Sequence, residues 1–385
     1  MRTSTILVTA GLAITGVASA VALRSPAAQA LSGEERHAGP DSARVEAFFA
    51  ALHAADPMLC DMVTDQLGNF WNSMGEDRVG ALADATTRRW EPVRDSLFSP
   101  VNDPAARRRV ARALGDDDPC VRRAAAKMLG NSGKLAVAAL ETALRDPSAR
   151  VREAAQLAVG RAEIPELYDE AMKGTRDADP AVAAMATWAL GEFERPEAID
   201  RLAELTRSPD LRVRRAAAHG LGQIENPAGA APLIPLLRDS DAGTRLLAAH
   251  ALGQLEQVSA ARPLAQALKD PDVRVRIAAA EAIGQLEEEL ESAPDELLEA
   301  MRDSDLRVRR AAAEALGEIA DVRAVEALGR SMHEEDLETR RAVVHALSHI
   351  EHESTIPFLL RAIKDADPEI RKMAAEALGE RRGSE

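Results

Sequence analysis

The chain has 385 residues, with 63 acidic against 48 basic side chains, a net charge of −15 and only ten aromatic residues. So strong an acidic excess excludes a nucleic-acid binder that works by neutralising phosphates, which needs the opposite balance. The two cysteines are too few for a disulfide-built scaffold, and no spacing around them makes a zinc or redox motif.

Residues 3–23 are uncharged, rich in Ala, Val, Ile, Leu and Thr, and bracketed by Arg2 and Arg24. Small-residue cleavage patterns follow at Ala18-Ser-Ala20 and, better, at Ala28-Gln-Ala30. This predicts a secretory signal peptide over 1–30 and an exported protein, periplasmic or secreted. Its removal takes two arginines and no acid, leaving a mature net charge of −17. A membrane enters only if the segment stays uncleaved as an anchor, since its uncharged run is barely long enough to span a bilayer. Residues 31–42 read as a solvated linker.

Residues 43–100 show Val45, Phe48, Phe49 and Leu52 at helical spacing, with further helices expected around 57–68 and 76–95. Six of the ten aromatic residues (Phe48, Phe49, Phe70, Trp71, Trp90 and Phe98) fall in this stretch. A helical cap over the apolar end of a repeat array is the expectation, with an aromatic recognition module as the alternative.

From residue 101 to 380 a thirteen-residue pattern recurs, best seen as Asp305-Leu-Arg-Val-Arg-Arg-Ala-Ala-Ala-Glu-Ala-Leu-Gly317. Its copies end at Gly130, Gly160, Gly191, Gly222, Gly253, Gly284, Gly317, Ser348 and Gly379, spaced 30 to 33 residues apart. A fixed period of this size predicts stacked repeats.

Counting back from the terminal glycine, position −12 is Asp118, Asp179, Asp210, Asp241, Asp272, Asp305, Asp336 or Asp367, with Ser148 as the exception. Each can cap a helix N-terminus, worth about 1 kcal/mol. Pro119, Pro180 and Pro368 follow at the first helical position, where a missing N–H costs nothing. The glycine is expected to end the helix in the left-handed conformation. Positions −9, −5 and −1, such as Val308, Ala312 and Leu316, form an apolar stripe that alanines at −6 and −2 widen. Intervening segments such as 261–269 predict a second, antiparallel helix. Asp103 to Gly115 looks like another copy, but only 15 residues separate it from Gly130, so it is expected to be the outer helix of the first pair. Residues 381–385 are a polar tail. The architecture expected is all-α: an α-solenoid of about nine helix pairs with an N-terminal helical cap.

The Asp-x-x-Val-Arg-x-x-Ala-Ala-x-Ala-Leu-Gly signature resembles HEAT repeats, specifically the short phycobilisome-lyase-like subtype. The resemblance covers about three quarters of the chain and is specific for fold, whereas HEAT arrays host many unrelated roles. It implies that the glycine-ended helix lines the concave face of a superhelix. It also implies that the −8 arginines (Arg122, Arg152, Arg214, Arg245, Arg276, Arg309, Arg340 and Arg371) pair with loop aspartates of neighbouring repeats. Ala183 replaces this arginine in one copy.

Positions −10, −7 and −3 are expected to point outward from the inner helix. Leu157, Trp188, Leu246 and Ile277 put large apolar groups there, flanked by Arg215, His219 and His250. Tryptophan on such a face is the residue type enriched at binding hot spots; partial burial in a tightly curved array is the competing reading. Basic residues at −10 and −7 are interleaved with acids, as Arg310 is with Glu314, and predict a charge-mixed, solvated face.

A related repeat protein, deoxyhypusine hydroxylase, binds two irons through His-Glu dipeptides. The only such dipeptides here, His333-Glu334 and His352-Glu353, lie between signature helices. His345, His349 and His352 form a looser cluster; Ser348 marks the expected helix end, so His349 need not share a turn with His345. No cofactor and no catalytic set is expected. The function expected is a non-catalytic exported scaffold that binds a protein or peptide on its inner face. A metal-dependent oxidoreductase resembling the hydroxylase and a passive envelope spacer are the alternatives. Cys60 and Cys120 form an even pair, expected in an oxidising compartment to bond and pin the cap to the array.

Overall fold

The computed structural model describes residues 41–53, 100–286, 290–333 and 336–382. The expected signal peptide, nearly all of the linker, most of the cap, Cys60 and the end of the tail lie outside the described residues. Among the described residues the chain forms helices and turns and no strand. The all-α solenoid expected from the period is the architecture observed, packed as two units, residues 1–139 and 140–385.

The first unit contains α1 (Ser42–Leu52), α2 (Pro104–Ala113) and α3 (Pro119–Asn131). Val45, Phe49 and Leu52 recur one helical turn apart and are all buried, and α1 packs on α2 and α3. Arg109 of α2 fastens the contact: it pairs with Glu46 and sets its guanidinium 5.6 Å from the Phe49 ring centre. That hydrogen bond from Arg109 holds the Glu46 carboxyl below its ordinary value. As its spacing required, α2 is the outer partner of α3.

α4 (Val137–Ala143) carries the chain into the second unit. There the inner helices are α5 (Ala149–Ala162), α7 (Pro180–Glu192), α9 (Leu211–Gln223), α11 (Ala242–Gln254), α13 (Val273–Gly284), α15 (Leu306–Glu318), α17 (Leu337–His349) and α19 (Pro368–Arg382). Between them run shorter outer helices: α6 (Tyr168–Gly174), α8 (Ile199–Leu205), α10 (Ala230–Leu233), α12 (Ala261–Ala267), α14 (Asp295–Ala300), α16 (Val325–Ser331) and α18 (Ile356–Ala362). Each inner helix packs along the next, α5 on α7 through α17 on α19, and from α7 onward each has its own outer helix behind it.

The aspartate caps form as expected. The side chains of Asp118, Asp179, Asp210, Asp241, Asp272, Asp305 and Asp336 each accept from a backbone N–H in the first turn, whereas Ser148 sits at the cap position without that bond. The −9, −5 and −1 stripe is buried, as at Val275, Ala279 and Ile283, except for half-buried Val151 and Leu378.

In five copies the signature glycine does not end the helix. Gly160, Gly191, Gly222, Gly253 and Gly317 lie within helices that continue past them, and the left-handed residue comes three positions later, at Glu163, Glu194, Glu225, Glu256 and Ala320. The glycine is required by packing instead. A Cβ on Gly317 would lie 2.6 Å from the Ala346 Cα, and one on Gly191 would lie 2.5 Å from the Gly220 Cα. Each glycine is thus a notch into which the −2 residue of the next inner helix fits, bringing two backbones into contact.

Candidate functional site on the inner helices

The rungs that space the inner helices also position their exposed face. Arg245 is representative: Nη1 donates to the Asp239 and Ser240 carbonyls ahead of its own helix, while Nε and Nη2 donate to Asp270 of the next repeat at 2.7 and 2.8 Å. Asp270 in turn accepts from the backbone N–H of the following cap residue, Asp272, at 2.8 Å. Equivalent forks join Arg152 to Asp177, Arg214 to Asp239, Arg276 to Asp303 and Arg340 to Asp365. Charge-assisted, two-pronged bonds of this kind fix geometry as well as contribute energy. Family resemblance implied a ladder of eight such arginines; the fork is present at these five, while the guanidiniums of Arg122, Arg309 and Arg371 donate to the loop carbonyls ahead of their own helices.

The missing rung is missing on both sides. Opposite Ala183, the loop position that elsewhere carries aspartate is Ser208, and an apolar cluster of Ala183, Ala184, Leu205, Val213 and Ala217 packs there. Deleting both charges together avoids leaving one buried and unpaired.

On the inner face, the −7 arginines are tied down. Arg215 pairs with Asp241 at 2.9 Å, Arg310 with Asp336 at 3.1 Å and Arg341 with Asp367 at 3.1 Å, each partner being the cap of the next inner helix. The −10 arginines Arg212, Arg274 and Arg307 fold back on the caps Asp210, Asp272 and Asp305. Hydrogen bonds from Arg274 and Arg307 hold Asp272 and Asp305 down to about 2. These guanidiniums are therefore committed within the protein, and the face is charge-mixed rather than a basic groove.

The apolar patch expected from Leu157, Trp188 and Leu246 is corrected. These side chains are 7%, 7% and 6% exposed, and Ile277 is half-buried. The cause is the glycine notch: at Gly160 a Cβ would meet the Trp188 ring at 2.6 Å, so the indole covers the preceding helix instead of facing solvent. His219 is half-buried with Nε2 3.1 Å from Glu192, and His250 is exposed.

What remains accessible is a polar column at −3: His250, Glu281, Glu314 and His345 on four successive inner helices, continued by Glu376 on α19, all of them exposed. Solvent reaches these groups, yet the surrounding protein disfavours the charged forms of the first four. Desolvation pushes the His250 and His345 imidazoles below their ordinary value. It raises the Glu281 and Glu314 carboxyls, with Glu314 and Glu318 adding repulsion at Glu281. One turn on, at +1, Gln254, Gln285, Glu318 and His349 are also exposed. This second column was missed in the sequence because the glycine was read as the helix end; carrying the helical spacing one turn further would have found it.

His345 and His349 do share a turn of α17, with ring centres 4.3 Å apart and edge to face. His352 is engaged elsewhere: its Nδ1 accepts from the Ser354 N–H and starts the turn before α18. His333 lies 3.2 Å from the Arg361 guanidinium. Among the described residues no three His, Cys, Asp or Glu side chains come together as a group that could hold a metal ion. Cys120, at the start of α3, is disulfide-bonded.

A family model described as HEAT repeats matches residues 100–160, 165–253, 230–294, 261–348 and 331–385. No curated protein matches the chain. Among solved structures, YibA of Escherichia coli is 18% identical over 72% of this chain and all of its own, with a TM-score of 0.53. Kap95p, from a structure in which its binding switches the loops of RanGDP, is 16% identical, with a TM-score of 0.50 over 90% of this chain and 53% of its own. The phycocyanin lyase complex of CpcE and CpcF from Nostoc sp. PCC7120 is 21% identical over 64% of this chain and 93% of its own, with a TM-score of 0.38. At these identities the likeness concerns fold alone. The family model, which runs through nearly all of residues 100–385, makes this chain a member of the HEAT-repeat family.

Proposed function

We propose that the protein is an exported, non-catalytic scaffold that holds a protein or peptide segment along the inner-helix columns at −3 and +1. The observation that carries this reading is the run of His250, Glu281, Glu314 and His345 on consecutive helices, open to solvent but shielded enough to displace their titration. Such groups gain when a partner supplies the counter-charge or hydrogen bond that water supplies poorly there. Export is supported by the leader-like residues 1–30 and by the disulfide at Cys120, a bond that persists in oxidising compartments. Cys60, the other cysteine of the chain, is its proposed partner.

The test is affinity capture from an envelope extract, comparing the parent with a Glu281→Arg/Glu314→Arg variant whose helicity and melting match it. A partner held by the parent and lost by the variant supports the reading. A partner held equally by both moves the site off these columns. Absence of any partner, together with stoichiometric iron by elemental analysis, would favour the hydroxylase-like alternative.

A further inference from the structure

Successive inner helices of the second unit meet through three recurring elements. The signature glycine takes the next helix's small −2 residue, as Gly284 takes Ala315 and Gly317 takes Ala346. The −8 arginine fork takes the next loop's carboxylate, as Arg245 takes Asp270 and Arg340 takes Asp365. The residue sixteen before the glycine, beside the outer helix, is covered at Leu237, Leu268 and Met301, which are only 6%, 4% and 4% exposed, and half-buried at Met332.

All three elements are present again on α19 and at the end of α18, and there no described residue covers them. No described atom lies within 4 Å of a Cβ placed on Gly379. Arg371 donates Nη1 to the Asp365 and Ala366 carbonyls at 2.8 Å, as a rung arginine does, but among the described residues its Nε–Nη2 edge meets no carboxylate. Ile363, the counterpart of Leu268 and Met301, is 36% exposed, and Leu360 beside it is 49% exposed. The earlier repeats state what such a face accepts: a helix with a small residue at the notch, preceded by a loop acid for the arginine.

We propose that the face formed by α18 and α19 docks a helix pair presented by a partner protein, with Ala or Gly crossing Gly379 and a loop carboxylate on Arg371. This surface is separate from the inner-helix columns and does not depend on their reading. Charge selects the occupant. The open Nε–Nη2 edge of Arg371 calls for a carboxylate at that point, and an acid-bearing loop completes the fork as Asp270 does for Arg245.

The probe is a dye-labelled synthetic peptide copying residues 226–254, which brings Asp239 in its loop and Ala251 on its helix, titrated with the full chain by fluorescence anisotropy. Saturable binding is expected, weakened at least about tenfold by Arg371→Ala, by Gly379→Leu or by Asp239→Asn in the peptide, the scale of one lost charge-assisted fork. Both protein substitutions fall on exposed positions, so melting temperatures no lower than the parent's separate lost binding from lost folding. Absence of saturable binding, or binding indifferent to all three substitutions, overturns the proposal. So does a concentration-dependent dimer in sedimentation that Arg371→Ala abolishes, which would give the face to a second copy.

Discussion

The reassigned glycine makes a test in which one substitution has opposite signs at two copies of the same motif. At Gly317, a Cβ would sit 2.6 Å from the Ala346 Cα and 2.8 Å from its Cβ. Both obstacles are backbone or directly attached to it, so no flexible side-chain end can yield and α15 must move away from α17. Overpacking of this kind costs about 1–3 kcal/mol, and contact with backbone places it near the top of that range. Gly→Ala also returns about 1 kcal/mol of helix propensity. Gly317→Ala is therefore expected to destabilise by about 2 kcal/mol. Gly379 has open space where its Cβ would go, so only the propensity gain remains, about 0.5–1 kcal/mol near a helix end. Equilibrium urea denaturation followed at 222 nm should move the midpoint down for Gly317→Ala and up for Gly379→Ala. Had the glycine been a left-handed terminator, both substitutions would destabilise. That result would refute the packing argument.

The true left-handed residues supply a complementary case: Glu194, at φ 50°, should accept glycine with a stability gain of about 1 kcal/mol, read as a raised melting temperature. Arg245→Ala strands Asp270, whose side chain is 7% exposed, and should cost about 2–4 kcal/mol. Arg245→Ala/Asp270→Ser, which copies the Ala183–Ser208 arrangement, should cost less than the single change, and a double-mutant cycle measures the difference. Asp272 and Asp305 lie at about 2 in the folded protein, below the ordinary aspartate value of about 3.9. Because the unfolded chain binds protons first, their contribution is complete above pH 4 and is lost as pH falls toward about 2. Urea midpoints measured down that window should fall less steeply in Arg274→Ala/Arg307→Ala than in the parent. Finally, thiol titration of the unreduced, denatured chain should find no free cysteine, and Cys60→Ser should lower stability by up to about 4 kcal/mol through the lost 60-residue loop closure; two free thiols would contradict the bonded Cys120.

The amino-acid sequence by itself determined the helix-pair period, the aspartate caps and the buried stripe, because each depends on local chemistry repeated at fixed spacing. A capping carboxylate acts within its own first turn, and an apolar stripe follows from 3.6 residues per turn, so neither needs a neighbour to be legible. The role of the glycine was not legible in this way. Both a left-handed terminator and a packing notch call for the smallest residue, and only the approach of the next helix, 2.6 Å from where a Cβ would stand on Gly317, distinguishes them. The candidate site moved for the same reason. Trp188 and Leu157 occupy positions that point away from the stripe of their own helix, but tertiary stacking covers that face as far as the notch and leaves the −3 and +1 polar groups of later repeats in the open. Exposure in a stacked array belongs to the interface between helices, and no single helix encodes it.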